Sequence, residues 1–376
     1  MAQFDIAVIG LGAMGSAALA TLARRGVRAV GIEQFKPAHD KGSSHGETRI
    51  IRLGYFEHPS YVPLLRRAYE LWRELEAETG QRLMRITGIV EIGPPDSAVV
   101  SGTLAASQQH ALPHEVMDAA ETMRRFPAFR LPEHYVGVFQ PDGGTLAVED
   151  ATFAQFDSTQ RHPNVEPRLF ERVSSVTPRS GHVRIETEHT TIEAGIAIVT
   201  AGAWLPKLLP SLPVRLRVTR EVQAWFKPID PAPFADGKFP VFLLENRHGQ
   251  HYGFPPNAQG LLKIAKHHHA NETIDPDEGA RAVDTDDEAL IRPALADHIP
   301  AANGALAAAK TCLYTMTPDG HFIIDRLPGA ENIIVASPCS GHGFKFAPVI
   351  GEILSDLATT GVTRHDISRF SLARFG

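Results

Sequence analysis

Cysteine is nearly absent from this chain of 376 residues, since Cys312 and Cys339 are its only two copies. So few cysteines argue against a disulfide framework and fit a reducing compartment, so we expect a cytoplasmic protein. Positive charge is not in excess either, and the formal net charge of -6 gives no reason to expect nucleic acid or an anionic membrane as a partner. No uninterrupted apolar run is long enough to span a bilayer. Asp5 interrupts the apolar run near the start, so we expect no secretory signal there.

The rest of the composition is that of an ordinary globular protein, with 43% hydrophobic and 21% charged residues. The length exceeds the size at which one hydrophobic core usually keeps growing, which predicts two domains. Because neither an internal repeat nor a low-complexity linker divides the sequence, we expect the two domains to be interleaved along the chain.

A glycine-rich turn stands close to the start of the chain, between an apolar stretch and an alanine-rich one. Gly10, Gly12 and Gly15 have the spacing of a dinucleotide-binding fingerprint, and Glu33 follows at the end of a second apolar run. Gly10 permits the tight turn, Gly12 lets backbone amides approach a pyrophosphate, and Gly15 allows close packing of helix on strand. The helix N-terminus offers free N–H groups to the anion, and Glu33 would accept hydrogen bonds from the ribose. The pattern predicts a dinucleotide site and leaves NAD and FAD as alternatives.

Hydrophobic periodicity predicts the other main elements. Apolar residues at helical spacing predict a helix over 61–79, and further helices are predicted near 16–25, 103–110, 284–295 and 345–359. Strands are predicted over 88–93, 136–140 and 332–336, and alternating strands with proline breaks over 214–262 predict an antiparallel sheet.

Five uncommon segments resemble those of a known family in order and spacing over nearly the whole chain. They are GSSHGETRIIR at 42–52, HYGFP at 251–255, CLYT at 312–315, HFIID at 321–325 and SGHGFKF at 340–346. The family is that of monomeric sarcosine oxidase and N-methyltryptophan oxidase, which are covalent-FAD amine oxidoreductases.

This resemblance implies an α/β fold in which an FAD-binding Rossmann-like domain is interleaved with a smaller α+β substrate domain that contains a mostly antiparallel sheet. We expect the FAD-binding domain to comprise residues 1–85, 145–215 and 315–376, and the substrate domain to comprise 86–144 and 216–314. The resemblance also implies a monomeric enzyme. It would oxidise the C–N bond of a secondary-amine amino acid, such as sarcosine or N-methyltryptophan, to an imine while O2 becomes hydrogen peroxide.

The resemblance assigns the substrate contacts to four residues. Arg52 and Lys345 match the positions that bind the substrate carboxylate, the first able to form a bidentate fork and the second acting as a point charge. Tyr252 and Tyr314 match residues that line the substrate cavity, although ordinary core packing is an alternative for Tyr252.

The resemblance assigns the redox chemistry to a second set. Lys263 occupies the position of the family's oxygen-activating lysine, because a fixed cation stabilises the negative charge that forms on oxygen. His267 is expected beside Lys263, and His45 and Arg49 match a second basic group beside the flavin. Cys312 matches the cysteine that forms a thioether with the 8-methyl carbon of FAD. The remaining cofactor-binding positions are Ser43, Ser44, Val173, Gly341, His342, Gly343 and again Lys345.

Two features fit the family pattern less directly. Adjacent histidines on a strand point to alternating faces, so we do not expect His267, His268 and His269 to form a metal site, and we predict that His268 and His269 are exposed loop residues. Cys339 follows Pro338 where relatives tend to carry a glycine and an aromatic residue, which predicts an altered pocket wall.

Three classes of function are compatible with these patterns. The favoured one is a flavoprotein oxidase of an N-alkyl amino acid, with pipecolate and fructosyl amino acids as alternative substrates. A nicotinamide-dependent dehydrogenase would share the first glycine motif but has no use for Cys312 or the 340–345 turn. A non-catalytic dinucleotide-binding protein is disfavoured because the basic residues are all present.

Overall fold

The computed structural model describes residues 3–376, which contain nineteen strands and eight α-helices. The strands are β1 (Phe4–Ile9), β2 (Ala29–Glu33), β3 (Thr48–Ile51), β4 (Met84–Ile86), β5 (Ile89–Gly93), β6 (Glu115–Asp118), β7 (Val136–Gln140), β8 (Gly144–Ala147), β9 (Val165–Leu169), β10 (Val173–Arg179), β11 (His182–Thr187), β12 (Thr191–Val199), β13 (Arg217–Phe226), β14 (Val241–Asn246), β15 (Gly249–Gly253), β16 (Leu262–Lys266), β17 (Leu306–Met316), β18 (Ile323–Leu327) and β19 (Ala330–Ser337). The helices are α1 (Ala13–Arg24), α2 (Val62–Thr79), α3 (Ala98–Gln109), α4 (Ala119–Arg125), α5 (Val148–Thr159), α6 (Leu205–Leu208), α7 (Thr285–His298) and α8 (Ala347–Thr359).

The first sheet is the nucleotide-type part of the fold. Its strands follow the order β10-β11-β12-β1-β2-β9, and β19 pairs with β12 and with β18. The pairs β1 with β2, β1 with β12 and β12 with β19 are parallel. Central strands of a parallel sheet are covered on both faces, which explains the continuous apolar runs at 6–9 in β1 and at 333–336 in β19. Helices α1, α5 and α8 pack beside one another on this sheet.

The second sheet has eight strands in the order β17-β13-β16-β15-β14-β5-β7-β6. All its neighbours pair antiparallel except β5 and β14, which run parallel. A separate sheet of three short strands has the order β3-β8-β4, and its strand β3 leads directly into Arg52.

Most predicted elements are confirmed. The predicted helix over 61–79 is α2, whose buried Leu64, Leu65, Ala68, Trp72 and Leu75 recur at helical spacing. The strand predicted over 136–140 is β7, and the antiparallel sheet predicted within 214–262 is present. The helix predicted near 103–110 begins earlier, because the Ser97 side chain accepts a hydrogen bond from the Val100 N–H and caps α3.

The predicted fold class is confirmed by this pair of sheets. The domain limits stay a prediction. All strands of the first sheet fall within the segments predicted for the FAD-binding domain, and those of the second sheet fall within the other segments except for the last two residues of β17. No helix within 3–376 combines the length and the apolarity needed to cross a membrane.

Candidate active site

One large cavity is lined by residues from both eight-stranded sheets and from the loops between them. Most of the predicted site residues line it: Gly10, Gly12, Glu33, Ser43, Ser44, Arg49, Arg52, Val173, Tyr252, His267, Tyr314, Gly341, His342, Gly343 and Lys345. Gly15, His45, Lys263 and Cys312 are buried and do not contribute to the lining in the described part of the chain.

The glycine turn between β1 and α1 forms one end of the cavity. Gly10 has a φ of +89°, which favours glycine, and its N–H donates to the Ile32 carbonyl at 2.8 Å. A Cβ on Gly15 would lie 1.8 Å from the Gly10 carbonyl oxygen, so the helix can approach the turn only with glycine there. A Cβ on Gly12 would meet no atom within 4 Å. The turn therefore presents backbone to open space, as a dinucleotide cradle requires.

Glu33 ends β2 and stabilises the same turn. Its Oε2 accepts the Leu11 N–H at 2.7 Å, and its Oε1 accepts the Phe35 N–H at 3.0 Å. Burial raises the pKa of Glu33, and these backbone hydrogen bonds oppose that shift. The carboxylate thus orients the turn as well as lining the cavity.

One face of the second sheet brings together residues that are far apart in sequence. On β17, Cys312 pairs with Glu221 of β13, and Tyr314 pairs with Thr219 of β13. Gln223, which is two residues after Glu221 on β13, pairs with Ala265 on β16. Paired residues, and residues two apart on one strand, share a face of a sheet. Lys263 shares this face for the same reason, as does Tyr252, which pairs with Ala265. Because Tyr252 and Tyr314 line the cavity, this is the face of the sheet that points toward it.

Lys263 is held by the segment 46–48. Its Nζ donates to the carbonyl oxygens of Gly46 at 2.6 Å and Thr48 at 2.8 Å, and lies 4.8 Å from the centroid of the Phe254 ring. Burial lowers the pKa of Lys263 well below its usual value, and the charge of Arg49 acts in the same direction. The amine is therefore fixed in position by two acceptors.

Arg49 on β3 and His45 on the loop before β3 lie beside this lysine. Arg49 donates to the Ser43 carbonyl at 2.8 Å and to Gln223 Oε1 at 3.3 Å, and no carboxylate within the described residues forms an ion pair with it. Burial and the charge of Arg49 lower the pKa of His45 to about 4. Both ring nitrogens of His45 are buried without a hydrogen-bond partner in residues 3–376.

Arg52 follows β3 and is almost fully buried between two carboxylates. It forms an ion pair of 2.6 Å with Glu57 and one of 3.4 Å with Glu91, and it donates to the Gly54 carbonyl at 2.6 Å. Burial alone would raise the pKa of Glu57, but the charges of Arg52, His342 and Lys345 together outweigh it and lower that pKa to about 2. The guanidinium therefore faces the cavity with its charge already balanced.

Lys345 stands in the turn of 3-10 helix that precedes α8. Its Nζ donates to the His342 carbonyl at 2.8 Å and lies 5.1 Å from the centroid of the Tyr55 ring. The Trp72 indole N–H donates to the Lys345 carbonyl at 2.9 Å, which ties the turn to α2. Burial, followed by the positive charge of Arg52, lowers the pKa of Lys345 to about 7.

The 338–345 turn closes the cavity against β17. Gly341 has a φ of +81°, and a Cβ there would lie 2.5 Å from the Tyr314 ring and 2.6 Å from the His267 ring. His342 is fixed at both nitrogens, by the Tyr55 hydroxyl at 2.6 Å and the Gly320 carbonyl at 3.0 Å. Cys339 lines the cavity, as expected from its position, and burial raises its pKa to about 11.

The prediction that His268 and His269 are exposed is wrong. His268 is half-buried, and His269 is buried, with its N–H donating to Glu221 at 2.9 Å and its Nε2 lying 3.0 Å from Asp287. The chain turns inward after β16, and the carboxylates of β13 and α7 stabilise that turn. His267 contacts the Tyr314 hydroxyl at 3.3 Å and shares no hydrogen-bond partner with Lys263.

Sequence reasoning missed the buried Glu91 and the half-buried Glu57 beside Arg52, and the buried Glu221 opposite Cys312. A glutamate in the middle of the apolar strand 88–93 and another within β13 were the signals, since an ionisable residue in a buried strand needs a partner.

The residues present fit an FAD molecule. The glycine turn presents its amides to open space, and the backbone of the 338–345 turn lines the cavity. The nitrogens of His45, which have no hydrogen-bond partner among the described residues, lie near the basic residues that would contact the flavin ring.

Comparison with known proteins decides the family. The family model for FAD-dependent oxidoreductases matches residues 5–357. The chain belongs to this family. It is 40% identical to monomeric sarcosine oxidase from Streptomyces avermitilis, with 99% of this chain and 97% of the relative covered. It is 38% identical to N-methyl-L-tryptophan oxidase from Salmonella enteritidis, with 99% of each covered. The resemblance found in the sequence motifs is thereby confirmed, and FAD is the dinucleotide among the two that the glycine motif left open.

Solved structures agree with the fold. The open form of NikD, described as an unusual amino acid oxidase essential for nikkomycin biosynthesis, is 27% identical with a TM-score of 0.85, covering 98% of this chain and 97% of that chain. This FAD-dependent oxidoreductase therefore shares its architecture with NikD.

Proposed function

We propose that this enzyme oxidises the C–N bond of an N-methyl amino acid to an imine while O2 is reduced to hydrogen peroxide. The observation that carries the proposal is the position of Arg52 and Lys345, which line the same cavity as the glycine turn and the two tyrosines. The names of the sarcosine and N-methyltryptophan oxidases among its relatives support the substrate class.

The turn at Gly10–Gly15, Glu33 and the 338–345 turn would hold FAD. Cys312 would anchor it covalently, because its side chain points to the cavity face of the sheet beside Tyr314. Bound FAD would supply the two-electron redox chemistry between the substrate and O2.

Arg52 and Lys345 would orient the substrate by its carboxylate. Charge-assisted hydrogen bonds to a fork and a point charge fix both the position and the direction of the carboxylate. The rings of Tyr252 and Tyr314 pack against the substrate body and exclude water from the cavity. Such contacts promote catalysis mainly because they hold the reacting carbon in one orientation.

Lys263 would assist the reduction of O2. Its amine is immobilised by the carbonyls of Gly46 and Thr48, so a positive charge there needs no reorganisation when negative charge forms on oxygen. A cytoplasmic monomer, expected from the composition and from the resemblance, stays a prediction.

Two measurements test the proposal. Purified protein should keep its yellow colour in the pellet after acid precipitation, because a thioether survives denaturation. Peroxide formation should be measured against sarcosine, N-methyltryptophan, pipecolate and a fructosyl amino acid. Turnover of the first pair well above the second supports the proposal, whereas dependence on added NAD, or absence of peroxide with every secondary amine, would contradict it.

A further inference from the structure

Glu91 is a buried carboxyl group directly behind the proposed carboxylate site. It lies in the middle of β5, is 0% exposed, and its Oε1 has an ion-pair distance of 3.4 Å to Arg52 but no hydrogen-bond partner among the described residues. Its Oε2 accepts from the Gln140 amide at 2.5 Å, and Gln140 in turn accepts the Gly54 N–H at 2.7 Å. Glu91 is therefore held on the far side of Arg52 from the cavity, which Arg52 lines and Glu91 does not.

The charges around Arg52 are balanced before any substrate enters. Arg52 and Lys345 provide two positive charges when both are protonated, and Glu57 and Glu91 provide two negative charges when both are ionised. A substrate carboxylate adds one negative charge to this buried set. An uncompensated charge in such surroundings is costly, which favours a change in the protonation state of a nearby group.

We infer that binding of a carboxylate at Arg52 draws a proton from the solvent onto Glu91, so that Arg52 exchanges one anionic partner for another. The inference rests on the proposed assignment of Arg52 and Lys345 to the substrate carboxylate. Glu91 is then a positioning residue, because it acts on the substrate through Arg52.

The groups that face Glu91 support this choice over Glu57. They are Arg52, Glu57, Gln140 from β7, Thr103 from α3 and, further off, Lys345. Burial raises the pKa of Glu91 to about 7 against the opposing effect of Arg52, whereas the pKa of Glu57 is about 2. Glu91 is therefore ready to take a proton near neutral pH, and Glu57 stays ionised.

Proton uptake by Glu91 makes the affinity for a carboxylate depend on pH. A bound anion raises the pKa of Glu91 further, so proton uptake is largest above pH 7, where Glu91 is ionised in the free protein. Carboxylate affinity should fall as the pH rises, by up to about tenfold per unit for one proton. Lys345 contributes an effect of the same sign, so the test must compare the native protein with a variant that changes only Glu91.

Calorimetric titration of the flavin-loaded enzyme with propanoate at pH 8, in two buffers of different ionisation enthalpy, counts the protons taken up. We expect Glu91→Gln to take up at least about half a proton less than the native enzyme and to show a flatter pH dependence of affinity. Glu221→Gln is the matched control, since Glu221 is also buried with a pKa raised to about 7 by burial but does not contact Arg52. It should keep the native uptake.

Equal uptake in Glu91→Gln and native enzyme, or an equal loss in Glu221→Gln, would overturn the inference. If Glu91→Gln does not fold, infrared difference spectra of the native enzyme decide instead, because propanoate should produce the carbonyl band of a protonated carboxylic acid. Propanoate that binds equally well to Arg52→Met would overturn the carboxylate site itself, and the inference with it. Arg52-dependent binding without that band or that uptake would overturn the inference alone.

Discussion

Cys312 lies directly opposite Glu221 in the antiparallel pair of β17 and β13, and both residues are 2% exposed. Burial raises the pKa of the Cys312 thiol, and the neighbouring Glu221 acts in the same direction while Arg49 opposes it. The thiol is therefore protonated at neutral pH in the protein without flavin, and it is protected from reagents in solution.

The flavin should be attached to Cys312 and not to Cys339. Cys312→Ala should release its FAD on acid precipitation yet still bind some FAD without a covalent bond, because the glycine turn and Glu33 are untouched. Cys339→Ala, the matched control, should keep the colour in the pellet. Peptide mapping checks both, and a flavin mass on the peptide that contains Cys339 would contradict the assignment.

Lys263→Met should slow reoxidation of the reduced flavin strongly, because methionine keeps the length of the side chain and removes its charge. Reduction by substrate should change less. Stopped-flow absorbance measures the two steps separately, and Lys310→Met is the control, since Lys310 is exposed and also lies near the Trp225 ring. Reoxidation within about threefold of the native rate, or about 0.7 kcal/mol of barrier, would show that Lys263 has another role.

Arg52→Met and Lys345→Met should each weaken the binding of an amino acid substrate by roughly 1.5–3 kcal/mol, the value of a charge-assisted contact. Lys345→Met is the cleaner of the two, because Arg52→Met also leaves Glu57 and Glu91 without their cation. KM and kcat against the amino acid and against its decarboxylated amine check this. An amine without a carboxylate that is oxidised faster than any amino acid, with Lys345→Met harmless, would indicate a different pocket.

Asp287→Asn should destabilise the second sheet. Asp287 is buried, accepts hydrogen bonds from Arg220 at 2.8 and 2.7 Å, and contacts His269. Removing one member of a buried ion pair costs about 3–5 kcal/mol, so denaturant unfolding should shift by that amount. The nearby Asp286→Asn, in an exposed position of the same helical turn, should change the free energy of unfolding by less than about 0.5 kcal/mol.

The same aspartate predicts an acid-sensitive stability. Burial would raise the pKa of Asp287, but hydrogen bonds from Arg220 and Arg281 outweigh it and hold that pKa well below its usual value. A lowered pKa means that this stabilisation is complete above pH 4 and is lost as the pH falls below it, by about 1.4 kcal/mol per unit. Native protein should lose stability more steeply in this range than Asp287→Asn, and parallel pH profiles would contradict the assignment.

The sequence predicts the parts of the site that lie within one contiguous segment better than it predicts contacts between distant segments. Gly10, Gly15 and Glu33 could be placed because their roles depend on a contiguous strand, turn and helix. Glu91 could not, because all five residues of β5 are buried and alternation therefore gives no sign of which face a side chain occupies. Its partners Arg52 and Gln140 come from other segments, which only the paired strands bring close.

Neither the burial of His269 nor the three-stranded sheet was predicted from the sequence, for related reasons. A run of three histidines is polar and suggests a loop, but Asp287 and Glu221, which bind His269, are 18 and 48 residues away. Strands β3, β4 and β8 have only three or four residues each, too few for a periodic pattern to be read.

Helices α1 and α8 come from opposite ends of the chain and pack on each other through their smallest residues. A Cβ on Gly351 would lie 2.6 Å from the Ala17 backbone, and the Ser355 hydroxyl donates to the Ala18 carbonyl at 3.3 Å. The helix that follows the glycine turn is therefore incomplete in its packing until α8 has been synthesised. A fragment that stops before α8 therefore leaves α1, and the glycine turn that precedes it, without this support.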